Sequence, residues 1–229
     1  MTLQTSLVPT YFIDSDAPPI VDRVRSIIDP GESDIDKAVK LFYAVRDGLP
    51  YNPYRMTFDR NKYPASFVLG QGDGFCIQKA IVLAALSRAA GVPCRLRFAT
   101  VRNHLVTKRL REAMKSDVFV FHGYNEFYLG GRWVKATPTF NLSLCEKFGV
   151  HTLEFNGRDD SILHPFDRQG NKHMEYLYDY GSFDDFPFEK MIDEFSKHYP
   201  HVAALLEKAA SEKGEPNNFE REAGEENDG

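Results

Sequence analysis

The stretch from Cys76 to Ala90 constrains this chain most. Ile77, Ala80, Ile81, Val82, Leu83, Ala84, Ala85, Leu86 and Ala89 leave almost no polar stripe. A helix that is apolar nearly all round must be buried on every side. The fold therefore needs layers both above and below this one segment. Gly91 supplies a natural C′ residue and Pro93 blocks continuation. Upstream, Leu69-Gly70-Gln71-Gly72-Asp73-Gly74-Phe75 holds three glycines in five residues, the mark of a tight backbone that others can approach closely.

Strand-forming sequence follows. Cys94 to Ala99 alternates at period two, and Asp117 to Leu129 is rich in Val, Phe and Tyr. Gly130-Gly131 signals a two-residue hairpin, with Arg132 to Thr137 as the return strand. Before the central helix, residues 1 to 30 read as an extended lead-in with a short helix. Ser33 or Asp34 then caps a helix whose apolar positions Ile35, Ala38, Val39, Phe42 and Val45 keep helical spacing, ended by Gly48 and Pro50. Residues 51 to 62 read as loop. After Asn141 the pattern weakens into loops until a last helix at about 188–210. The expected organisation is a lead-in (1–33), a core (34–141), an extension capping the core (142–211) and an acidic tail (212–229).

That tail carries seven acidic residues against Lys213 and Arg221, which accounts for the whole net charge of -5. The balanced remainder offers no electrostatic footprint for nucleic acid or an anionic membrane. The tail itself reads as disordered and solvating. Cys76, Cys94 and Cys145 form no disulfide or metal pattern, and no leader or membrane-spanning run is evident, so a reducing cytoplasm is the expected setting. His104, His151, His164 and His173, with Asp159, Asp160 and Asp167, lack ligand spacing, and no metal is expected. Arg95 and Arg97 share one strand face.

The chemistry centres on Cys76. A thiol at a helix N-terminus has its thiolate stabilised by unpaired N–H groups and the helix dipole. The Cys76 N–H is an expected oxyanion donor, with Gln71 as a second candidate. A nucleophile needs a base, and the base needs an orienting group. His122 lies in the strand that follows. With Leu129 opposite Arg132, the register sets His122 opposite Thr139 and Tyr124 opposite Thr137. Thr137 is then a diagonal neighbour on the His122 face.

Residues Gly74 to Ala80, then Leu83 to Arg95, resemble the nucleophile helix of the transglutaminase-like superfamily. His122-Gly123-Tyr124-Asn125-Glu126 through Gly130-Gly131-Arg132-Trp133-Val134 resembles its histidine strand and hairpin. The resemblance covers roughly residues 34 to 141. It implies an α+β, papain/transglutaminase-like fold, with a buried nucleophile helix packed on an antiparallel sheet. It also implies a thiol enzyme acting on an amide or related acyl bond of a peptide, protein or small molecule. The catalytic residues would be Cys76, His122 and Thr137, with no cofactor and no Ca²⁺ requirement. Hydrolysis is the commoner outcome in such enzymes and cross-linking the rarer one. Where the family usually reads Asp-Pro-Thr, this chain reads Thr137-Pro138-Thr139. Three readings follow: Thr137 is a neutral orienter, Asn141 substitutes for it, or the site is inactive and the fold serves as a binding module. An amide-forming acyltransferase differs from the hydrolase only in its acceptor.

Overall fold

The central helix is where the sequence puts it, at Cys76–Ala89 (α4), and every residue from Ile77 to Arg88 is buried. Its few polar side chains are absorbed by the backbone around them. Lys79 donates to the carbonyls of Arg46, at 2.9 Å, and Leu49. Ser87 bonds Leu83 O within the helix. Arg88 reaches the carbonyls of Cys94, Val8 and Asp184. A buried polar group is tolerated when it is hydrogen-bonded. The absence of a polar stripe and the presence of Lys and Arg in one helix are thereby reconciled. Burial pushes the Lys79 ammonium down to about 7.

The computed structural model describes residues 3–209 and Phe219. On one side of α4 pack helices Pro18–Arg25 (α1), Asp34–Gly48 (α2) and Ala65–Gln71 (α3). Ser33 caps α2, its hydroxyl accepting from Asp36 N–H at 3.2 Å. On the other side lies an antiparallel sheet of strands Cys94–Asn103 (β1), Val118–Leu129 (β2), Arg132–Ala136 (β3) and Met174–Phe183 (β4), in the order β3-β2-β1-β4. Helices Lys108–Met114 (α5), Leu142–Phe148 (α6), Phe188–His198 (α7) and Pro200–Ala209 (α8) complete the described chain. This is the expected α+β arrangement of a buried helix on an antiparallel sheet.

Four features differ from the sequence reading. The single last helix expected at about 188–210 is two, Phe188–His198 and Pro200–Ala209. The glycine run is not all loop: Gly70 lies inside α3, and Gly72 ends it in the left-handed conformation (φ 85°). The lead-in contributes Phe12, Ile13 and Ile20 to the core. The extension does more than cap, because β4 is an integral strand that pairs with β1 from Leu96↔Phe183 to Asn103↔Met174. Apart from Phe219, the acidic tail lies outside the described residues.

The β2–β3 register follows the Gly-Gly turn as expected, from Leu129↔Arg132 to Asn125↔Ala136. It stops there. Thr137 turns away to donate its N–H to Ser161 O at 2.9 Å. Between β1 and β2, Ala99 pairs with His122 and Val101 with Phe119, so Thr100 faces two residues, Val120 and Phe121. Phe121 sits at φ 60°, unusual for a bulky residue. Bulges of this kind re-aim neighbouring side chains, and the neighbour here is His122.

Candidate active site

The loop entering α4 is fixed by backbone bonds. Gly74 N–H donates to Pro50 O and Asn52 N–H to Gly74 O, at 3.1 and 2.9 Å. Gln78 Oε1 accepts from Phe75 N–H at 3.4 Å, and its amide donates to Lys62 O. Asp73 is held by Arg55 and by the Asn52 amide. Cys76 is therefore placed at the first turn of α4 by a rigid approach. Its sulfur meets the backbone N–H groups of Gly123, Ile77 and Cys76 itself.

These donors favour the thiolate, yet burial is the larger effect and pushes the thiol up to about 11. The expectation of a lowered thiol pKa rested on the helix terminus alone. The apolar surroundings of the sulfur, which no motif announces, outweigh it, although the residue is partly exposed.

His122 is buried, and burial alone pushes its imidazole down to about 4. Its Nε2 has no hydrogen-bond partner. The ring lies beside Tyr124 and Tyr176, with centroids 6.3 and 6.5 Å away. Cys76 and His122 line the same cavity of about 80 Å³, with Thr139 and His173 as further polar groups among mostly aromatic and aliphatic walls. The helix N-terminus and the histidine strand thus converge on one space.

The remaining sequence candidates fall outside it. Thr137 is buried, its hydroxyl is unpartnered, and it does not line the cavity. Thr139, the residue set opposite His122 by the extrapolated register, does line it, and its hydroxyl is also buried without a partner. The Asn141 amide accepts from Tyr51 N–H at 3.0 Å and donates to Ser143 Oγ at 2.8 Å. Both ends of that amide are spent away from His122. The Gln71 amide donates to Asp73 O at 2.9 Å, and Gln71 does not line the cavity. Arg95 and Arg97 both pair with buried Glu126, each at 2.8 Å. His104 pairs with Glu175 at 3.1 Å. Among the described residues, no three His, Cys, Asp or Glu side chains are grouped to hold a metal.

Gly123 was the residue most easily missed. A Cβ there would lie 3.0 Å from Ile77 Cα and 3.3 Å from the Phe98 ring. The bare backbone lets β2 approach the first turn of α4 and brings its N–H to the sulfur. An isolated glycine within a strand pattern is the signal that could have found it. Gly123→Ala should lower stability by about 1–3 kcal/mol, because backbone is what the new methyl meets. It should also change the alkylation rate of Cys76, measured by mass spectrometry alongside chemical denaturation.

A family description of the transglutaminase-like superfamily matches residues 21–138, just over half of the chain. The chain belongs to the transglutaminase-like superfamily. In this superfamily member Cys76 stands at the start of the buried helix and His122 on the adjoining strand. The matched region ends at Pro138, so β4 and the helices after it lie beyond the family's shared core. Among solved structures, a protein from Cytophaga hutchinsonii, described as a proposed cysteine protease, has the same fold. The TM-score is 0.50 at 17% identity, and the likeness covers 80% of this chain. It covers 47% of that protein, so the superfamily member described here spans about half its length. No curated protein matches the chain. Among the described residues, no helix is long and apolar enough to cross a membrane.

Proposed function

We propose that this protein is a cytoplasmic thiol enzyme that cleaves an amide or related acyl bond through an acyl-Cys76 intermediate, as a hydrolase rather than a cross-linking enzyme. The observation that carries this reading is the convergence of Cys76 and His122 on one cavity, with the backbone N–H groups of Gly123, Ile77 and Cys76 around the sulfur. In the proposed reaction, Cys76 Sγ attacks the substrate carbonyl while His122 takes the thiol proton. The N–H groups at the start of α4 stabilise the oxyanion. The tetrahedral adduct collapses, the C–N bond breaks, and His122 returns the proton to the leaving amine. Water then attacks the thioester, giving one proton to His122; the C–S bond breaks, His122 passes that proton to the Cys76 sulfur, and the carboxylic acid leaves. We assign the neutral orienting role to Thr139, whose unpartnered hydroxyl lines the cavity, rather than to Thr137, which does not line it.

Mass spectrometry of Cys76 after incubation with peptide amides and activated acyl esters tests this. A covalent acyl mass on the Cys76 peptide, absent in Cys76→Ala, is expected. If no adduct forms with any amide or ester while Cys76 remains alkylatable, the enzyme reading is wrong. Adding a primary amine separates the outcomes, since an acyltransferase would convert the adduct to a new amide in preference to acid. A non-catalytic binding module is favoured by one observation, the unpartnered Nε2 of a histidine whose usual acidic neighbour is Thr137. It predicts a Cys76 alkylation profile that His122→Ala leaves unchanged.

A further inference from the structure

Phe219 is the only aromatic residue of the acidic tail, and it is 3% exposed. Its ring packs against Tyr51, Tyr54 and Phe148, at centroid distances of 5.6, 6.0 and 6.0 Å. Phe219 also lines the cavity that holds Cys76 and His122. Tyr51 connects the two, because it bridges to Gly74 in the loop that delivers Cys76. With Phe219 seated, the free space is about 80 Å³. That is roughly half of an engineered cavity (about 150 Å³) that just admits benzene.

We propose that the cage of Tyr51, Tyr54 and Phe148 is a substrate subsite for an aromatic side chain, and that Phe219 occupies it as an internal competitor. This rests on the reading of Cys76 as the acyl-accepting nucleophile. The ligand class is a peptide or acyl amide bearing a phenylalanine-like ring. Edge-to-face packing of this kind selects aromatic over aliphatic groups. A ring already carried on this polypeptide shows that an L-residue can present its side chain there. Departure of Phe219 would also widen the cavity that Cys76 and His122 line, giving the partly exposed Cys76 freer access. Occupancy of the subsite and readiness of the nucleophile are then linked.

The experiment is the native alkylation rate of Cys76 by iodoacetamide in the full chain, located by mass spectrometry, with Cys94, which is buried away from this cavity, as the internal control. Phe219→Ala should speed Cys76 alkylation about tenfold, the change expected from losing part of a buried aromatic contact. Phe219→Tyr should stay close to the parent rate. Excess N-acetyl-phenylalanine amide should slow the Phe219→Ala protein, and N-acetyl-alanine amide should not. The proposal is overturned if Phe219→Ala reacts within about twofold of the parent. It is overturned equally if the phenylalanine amide gives no protection, or if Cys94 accelerates in parallel, which would mark general loosening. An acyl-Cys76 adduct without these effects keeps the enzyme and removes the subsite. These effects without any adduct keep the subsite and remove the enzyme.

Discussion

His122→Ala should slow formation of acyl-Cys76 by about 10²–10⁴-fold, the range for loss of a general base. Global stability should change much less. The imidazole is buried and its Nε2 has no partner, a cost of about 1–3 kcal/mol that alanine removes. Alanine also leaves a void of similar cost, so the two effects oppose each other. A large kinetic loss with a small change in denaturation midpoint separates a chemical role from a structural one. Stopped-flow trapping of the acyl adduct, paired with urea denaturation, measures both. Equal adduct rates in the two proteins would remove His122 from the mechanism.

Acidification from pH 7 to pH 4 should destabilise the fold strongly, with His122 and His173 as leading causes. Burial lowers both imidazoles to about 4. The unfolded chain binds their protons first, near pH 6.5, so stability is intact above that value and falls as the pH drops toward 4. Each shift corresponds to as much as about 3 kcal/mol. His173 Nδ1, like His122 Nε2, has no partner, and its ring rests on Phe140. Among the described residues His122 has no carboxylate neighbour, and at His173 the charge of Asp167 favours the proton but is outweighed by burial. Urea denaturation at pH 7 and pH 4.5 should show the loss, and His122→Ala should reduce it by close to half. A flat stability profile over that interval would mean that one or both rings reach water in solution.

The parts of the fold that were legible are those with local causes. The α4 segment announces burial by being apolar at every angle. The Gly130-Gly131 turn sets the hairpin register residue by residue as far as Ala136. The rest depends on partners far away. β4 sits at an edge with Tyr178 and Leu177 exposed, so it shows no alternation of buried and exposed positions. α3 is a single short stretch whose closing glycines look like loop. Within the site, Cys76 and His122 were legible from helix start and strand position. The polar residues around them were not, because their roles depend on hydrogen bonds. Gln71 and Asn141 are consumed by nearby backbone and side-chain groups, and Thr137 is diverted to Ser161. The sulfur's high pKa is a property of its surroundings rather than of its neighbours in sequence.

The pairing of β4 with β1 also sets an order of events during synthesis. β1 is made some eighty residues before its outer partner. At roughly 5–20 residues per second this is a delay of about 4–16 s. During that interval the hairpin can dock on one side of β1 while the other side stays an open edge, the kind of template that recruits foreign strands. Contacts of such long range also slow folding of the finished chain. A fragment cut at the end of the shared core, near residue 138, would keep that edge open permanently. It should be recovered as aggregate, whereas a fragment that extends through Phe183 closes the sheet.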